Sequence, residues 1–288
     1  MSNMSVEYFG EYRVLNLVNT GQSSRLLHGY NDRTREVVCI KTLLDRSARD
    51  KEQIKILKWE YEVASGLSHP KLIRVFSYGW RGEVPYIVME WFSAPNVKLL
   101  ISRGYGQYCD HIVRIMLSMV ESLSYLHLRG WVHRDVKPDN FLFDVGAGEL
   151  RLIDFAIARR SVAGIRRLFA GRLQPQGTVS YMAPEQIKGL PPETGSDVYS
   201  LGCVFYELLT MRTPFSGDSA NDLLRKHIAT PPPNVMAKNK NITKDFSDLL
   251  KTMMAKSAKD RPKNATELLK IMQKIKVFQT NPKPENIG

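Results

Sequence analysis

The stretch His133-Arg134-Asp135-Val136-Lys137-Pro138-Asp139-Asn140 constrains this chain more than any other. It gathers carboxylates, a lysine and a carboxamide within a few positions. Pro138 fixes its own φ and restricts Lys137 before it, so a continuous helix is disfavoured and these groups are expected on a loop. Fourteen residues beyond Asn140 the apolar pair Leu152-Ile153 delivers a further carboxylate, Asp154, followed by Phe155. Asp135, Asn140 and Asp154 would together supply a base and two metal-binding oxygens around a transferring phosphate.

A loop of this kind needs a scaffold on both sides, and the chain is long enough to provide one. Its 288 residues, 43% of them apolar, suffice for one large domain or two lobes with a substantial core. The formal charge of +12 suits anionic partners: a nucleotide, an acidic protein segment, nucleic acid or an anionic membrane. No clear nucleic-acid motif selects the third of these. Cys39, Cys109 and Cys203 are far apart and form no C-x-x-C, which argues against a disulfide scaffold and a zinc site. The first ten residues lack the apolar run of a signal peptide, and no stretch approaches the ~18 apolar residues of a membrane span. The expectation is a soluble, reduced, cytoplasmic protein.

Along the chain, residues 1–11 read as a lead-in. Residues 12–27 read as two strands about a turn at Asn19-Thr20-Gly21-Gln22-Ser23-Ser24, whose small residues would let backbone N–H groups approach a polyphosphate. Val37-Val38-Cys39-Ile40 is a β-branched run that delivers Lys41 at a strand end. Over 50–67 the pattern is helical, with Ile54, Leu57, Tyr61 and Ala64 on one face and Glu60 and Glu62 as the acids of interest. Residues 72–78 and 85–90 read as strands joined at Arg81-Gly82. Ser93-Ala94-Pro95-Asn96 is a breaker cluster that marks a lobe boundary. A helix is predicted over 110–129, its core stripe being Ile112, Ile115, Met116, Met119, Leu123 and Leu126. Phe141-Leu142-Phe143 is a strand, turning at Gly146-Ala147-Gly148 into Leu150–Ile153. Asp197 opens and caps an apolar helix running to Leu209. Further helices are predicted over 220–229, 245–255 and 265–277, and residues 278–288 read as a frayed tail.

The motifs, taken in order, resemble those of the eukaryotic-type (Hanks-type) serine/threonine protein kinases over about 12–277. H-R-D-x-x-x-x-N followed by D-F looks like the catalytic and metal-binding loops of that family. Gly177-Thr178-Val179-Ser180-Tyr181-Met182-Ala183-Pro184-Glu185 resembles its G-T-x-x-Y-x-A-P-E segment. Thr178, with Lys137 two residues after Asp135, is typical of the serine/threonine class. The resemblance implies an α+β, bilobal fold: a small, mostly β N-lobe with one main helix (12–92) and a larger, mostly helical C-lobe (93–277).

It also implies roles. Asp135 would accept or orient the substrate hydroxyl proton, and Lys137 would stabilise the transferring group. Asn140 and Asp154 would hold Mg²⁺, or Mn²⁺ in its place. Lys41, fixed by Glu60 in preference to Glu62, would position the phosphates of ATP. Around the nucleotide the resemblance places Asn19, Thr20, Gly21, Ser24, Leu26, Cys39, Lys41 and Leu142, with Met89 as gatekeeper and Glu90 and Phe92 on the hinge. Asp197 would anchor the catalytic loop, and Arg261 would pair with Glu185.

The chain departs from the family pattern in three places. Asn19 and Ser24 stand where the loop usually has glycine, and Ala156 stands where D-F-G has glycine, so a backbone flip there should be less free. Between Ser161 and Thr178 there is no Ser, Thr or Tyr, while Arg159, Arg160, Arg166, Arg167 and Arg172 form a basic run. Either Ser161 is phosphorylated or no phosphorylation is required, and the run leans towards acidic or already phosphorylated protein substrates. Three functions stay open: an active, autophosphorylating protein kinase; an ATP-binding pseudokinase scaffold; and a small-molecule phosphotransferase, which would have no need of the Thr178–Glu185 segment.

Overall fold

The computed structural model describes residues 7–162, 174 and 176–287. The chain divides into two compact units, Met1–Ser93 with Asp154–Ala156 and Ala94–Ile153 with Ile157–Gly288. Arg166, Arg167 and Arg172 lie outside the described residues.

In the first unit the alternation of apolar and polar residues produces an antiparallel sheet: β1 (Tyr8–Phe9), β2 (Tyr12–Thr20), β3 (Ser24–Asn31), β4 (Val37–Leu43), β5 (Val75–Arg81) and β6 (Val84–Glu90), ordered β1-β2-β3-β4-β6-β5. Successive side chains point to opposite faces. Leu27, Val38, Ile40, Tyr86 and Val88 join Phe9 in a buried cluster. The register pairs Leu26 with Lys41, His28 with Cys39, and Cys39 with Met89, which puts all five on the other face. Lys41 is not at the strand end, because β4 runs two residues further while still paired to β3. β5 begins at Val75, not at residue 72: Leu72 donates its N–H to His69 O at 3.0 Å, closing a turn that its burial among apolar groups holds in place.

The helix α1 (Lys51–Ser65) starts where the Asp50 carboxylate accepts the Glu52 N–H at 2.8 Å. Its buried stripe is Leu57, Glu60, Val63 and Ala64, with Ile54 and Tyr61 half-buried. Glu60 is thus the one carboxylate of the helix carried on the core side, while Glu62 is exposed.

The second unit carries α2 (Val97–Ser102), α3 (Ile112–Leu128), α4 (Pro184–Ile187), α5 (Thr194–Thr210), α6 (Ala220–Ala229), α7 (Lys244–Met253) and α8 (Ala265–Met272). Two small antiparallel pairs accompany them: β7 (Trp131–Val132) with β10 (Arg159–Arg160), and β8 (Phe141–Asp144) with β9 (Glu149–Leu152). All six residues of the expected α3 stripe are fully buried. From Gly195 to Thr210 every residue of α5 is buried, and its polar members Ser196, Asp197 and Glu207 each have a hydrogen-bond partner.

Three expectations for this unit are corrected. Asp197 does not cap α5, which starts earlier, at Thr194. Its carboxylate is taken by backbone N–H groups of another segment, and it sits inside the helix. α8 ends at Met272, not at 277, because Val277 and Phe278 turn away to bury themselves: Thr243 donates N–H to Val277 O at 3.0 Å, and Ile242 bridges Phe278. Residues 278–287 are pinned rather than frayed. The N–H and Oγ1 of Thr280 both donate to Asn241 Oδ1, at 3.0 and 2.9 Å, and Ile287 bridges Asn239.

Candidate active site

In the first unit the site is built on β4 and α1. Lys41 Nζ donates to both carboxylate oxygens of Glu60, at 2.8 and 2.7 Å, and lies 3.8 Å from Asp154 Oδ1. Burial would pull the ammonium down, but the Asp154 and Glu60 carboxylates outweigh it and hold its pKa above the ordinary lysine range. Lys41 is therefore a fixed positive charge. Glu62, exposed on the helix, lies 3.8 Å from Lys58.

Asp154 adopts φ +65°, a region non-glycine residues avoid, and its Oδ1 accepts the Ala156 N–H at 3.2 Å. The positive φ of this D-F-A turn thus falls on Asp154 and not on Ala156.

The nucleotide-site candidates of this unit fall into two groups. At the β2–β3 tip, Gly21 N–H donates to Ser24 O at 2.8 Å and Thr20 N–H to Asn19 Oδ1 at 2.8 Å. Asn19 therefore spends its side chain on the turn that glycine usually makes. Leu26, Cys39 and Met89 share the Lys41 face, and Glu90 ends β6 with Phe92 just beyond it. Burial pushes the Cys39 thiol up to about 12, so it serves as a small apolar group.

In the second unit the loop after β7 gathers four expected residues. Asp135 Oδ1 accepts the N–H and the Oγ1 hydroxyl of Thr178, both at 3.1 Å. Lys137 Nζ lies 2.6 Å from Asp135 Oδ2 and donates to Thr178 Oγ1 at 3.0 Å. Asn140 Nδ2 donates to Asp135 O at 2.8 Å and to Oδ2 at 3.2 Å. With its amide nitrogen so engaged, Asn140 turns its Oδ1 to acceptor duty, the chemistry a hard cation requires. Leu142 lies half-buried on β8, bridging Asn96.

Asp197 holds this loop. Its Oδ2 accepts the His133 N–H at 2.7 Å and its Oδ1 the Arg134 N–H at 2.9 Å, while His127 Nε2 lies 2.9 Å from Oδ2. Burial would raise this carboxyl, but His127, His133 and the Arg134 N–H reverse the effect and hold it below the usual range. Arg134 itself has φ +70°, a strained backbone kept by those bonds. Asp197→Ala leaves two buried N–H groups without an acceptor and should lower stability by about 2–3 kcal/mol, read from denaturant melts against wild type.

Sequence reasoning missed a neighbouring cluster. Tyr181 donates its hydroxyl to Glu207 Oε2 at 2.6 Å, and Lys98 Nζ lies 2.5 Å from Glu207 Oε1. The available signal was Glu207 itself, a lone carboxylate in the otherwise apolar second half of α5.

The comparison with known families agrees with this arrangement. The protein kinase domain model matches residues 12–272. The chain belongs to the protein kinase family. A probable serine/threonine-protein kinase of Clostridium perfringens is 31% identical over 268 residues, covering 92% of this chain and 38% of that protein. The serine/threonine-protein kinase PrkC of Bacillus subtilis is 29% identical, covering 90% of the kinase chain and 39% of its own length. PknA of Mycobacterium tuberculosis is 32% identical, over 80% of the chain and 54% of its own length. The kinase chain thus spans only about two fifths of the length of the first two relatives.

Proposed function

We propose that this kinase domain transfers the γ-phosphoryl group of ATP to serine or threonine hydroxyls of proteins, itself included. The observation that carries the reading is the Asp135 carboxylate set between Lys137, Asn140 and Thr178. Its oxygens are oriented by donors yet remain those of a base, suited to accept or align the proton of an incoming hydroxyl. Lys137 brings a positive charge to the same place, where charge builds on the transferred group. Thr178 Oγ1 receives the proton of Lys137 and gives its own to Asp135, which fixes both side chains. Lys41, gripped by Glu60, would orient the phosphates of ATP. Leu26, Cys39, Met89, Glu90, Phe92 and Leu142 would bind the base, and the backbone of Asn19 to Ser24 would cover the phosphates.

Asn140 and Asp154 would hold Mg²⁺, or Mn²⁺ in its place, and the bound cation supplies charge neutralisation on the phosphate oxygens. ATP as donor and three thiols outside any disulfide fit a cytoplasmic domain. Among the described residues no helix is long and apolar enough to cross a membrane. Arg159, Arg160 and the half-exposed Lys98 support a lean towards acidic or phosphorylated substrates.

The test is transfer of labelled γ-phosphate with Mg²⁺ to the protein itself and to generic acidic and basic proteins, beside an Asp135→Asn control. Label on serine or threonine that the control loses supports the kinase. ATP binding without transfer would overturn it in favour of the scaffold reading. Lys41→Met should lower kcat/KM by about 10²-fold, since phosphates left unaligned lose the benefit of placement. Unchanged steady-state kinetics in this variant would contradict the role given to Lys41.

A further inference from the structure

The imidazole of His28 stacks on the indole of Trp91, with ring centroids 4.1 Å apart and planes 19° from parallel. His28 belongs to the sheet face that carries Leu26, Cys39 and Lys41. Its Nδ1 lies 3.0 Å from Asn16 Oδ1, and Asn16 is its cross-strand partner on β2. An amide oxygen can only accept, so Nδ1 is the donor of this contact. Nε2 is buried and has no hydrogen-bond partner among the described residues. A buried polar atom without a partner is unfavourable, so this ring is not held there by its second nitrogen. What it offers the fold is its flat face.

That face meets the chain where the sheet gives out. The β4–β6 ladder ends with Val38 opposite Glu90, and Trp91 is the first residue past it. Glu90 and Phe92, on either side of Trp91, are among the residues proposed to bind the base of ATP. We infer that the stacked His28–Trp91 clasp positions this backbone for the nucleotide, with His28 as a positioning residue acting through Trp91. The inference rests on the kinase reading. With the indole clamped, the 90–92 segment is ordered before ATP arrives, so less conformational freedom is lost on binding. The clasp contributes to nucleotide affinity and nothing to the chemical step.

Steady-state kinetics of phosphoryl transfer, with ATP varied, test this in His28→Leu, His28→Phe, Trp91→Leu and the double variant His28→Leu/Trp91→Leu. Leucine fills the space without a planar ring, and phenylalanine keeps the ring without its nitrogens. His28→Leu should raise KM for ATP about 3–10-fold with kcat within about twofold, the range of one aromatic pair. His28→Phe should stay within about twofold of wild type in both constants. The double variant should be no worse than the poorer single one, since the two rings act as a unit. Equilibrium ATP binding, followed by the emission that Trp91→Phe removes, should weaken in step with KM.

An unchanged KM in His28→Leu, an equal rise in His28→Phe, a fall in kcat at constant KM, or additive effects in the double variant would each overturn the clasp and leave the kinase reading standing. Wild-type protein that neither binds nor turns over ATP would overturn the kinase reading, and the clasp with it.

Discussion

Asp135→Asn should fold as wild type does and transfer phosphoryl about 10³-fold more slowly. The substitution keeps the size of the side chain but leaves one accepting oxygen where there were two. In wild type, Oδ1 takes both protons of Thr178, while Oδ2 faces Lys137 Nζ at 2.6 Å and Asn140 Nδ2 at 3.2 Å. An amide must turn its NH₂ towards one of these donor sets, and in neither orientation can it take up a proton from a substrate hydroxyl. The loop survives, because its anchors are the backbone N–H groups of His133 and Arg134 on Asp197, which the substitution leaves alone. Single-turnover transfer rates beside circular dichroism melts check both halves. A slow enzyme with a lowered melting temperature would mean that Asp135 acts in folding instead.

Glu185→Gln should lower stability by about 3–5 kcal/mol. Arg261 is fully buried and donates to Glu185 at 2.7 and 3.0 Å, while Ser196 Oγ donates to the same carboxylate at 2.6 Å. The guanidinium also satisfies the carbonyls of Ala255 and Gly195, at 2.7 and 2.9 Å. Removing the carboxylate's charge leaves a cation in the interior with neutral oxygens only. Burial alone would raise Glu185, but Arg261 and Ser196 reverse this and hold it below the usual carboxylate range.

A carboxyl depressed in the folded state stabilises fully above its unfolded pKa, about 4.3 for glutamate, and the contribution is lost as pH falls through the folded value. Urea melts of the two proteins should therefore differ most near neutrality and converge below about pH 4. A gap that stays constant into acid would show that the carboxylate's charge is not what stabilises the pair.

Much of this was legible in the residues. The sheet alternation, the α3 stripe and the loop chemistry at Asp135 are local patterns that physical periodicity makes visible. Glu60 could be chosen over Glu62 only through the family spacing, and the helix stripe then shows why: it falls between Leu57 and Ala64. What stayed hidden was non-local. Asp197 near a helix start looks like a cap, and only the family resemblance, not the residues around it, announced that the loop more than sixty positions upstream would claim it. The end of α8 was misread for the same reason, because Val277 and Phe278 find their burial against residues 242–243. The positive φ at Asp154 was not legible either: its short side chain bonds the backbone two residues on and so supports that conformation.

The Asp197 anchor has a consequence for how the enzyme comes into being. Its oxygens bind amides 64 and 63 residues earlier in the chain, so the loop is complete in sequence long before it is complete in shape. At a synthesis rate of roughly 5–20 residues per second, the 64-residue separation leaves His133 and Arg134 waiting roughly 3–13 s for their acceptor to be made. Until then the strained backbone of Arg134 lacks the bond that Asp197 gives it, although the chain already displays every residue of the loop. In the proposed reading, catalytic ability would therefore be acquired late, when α5 is delivered.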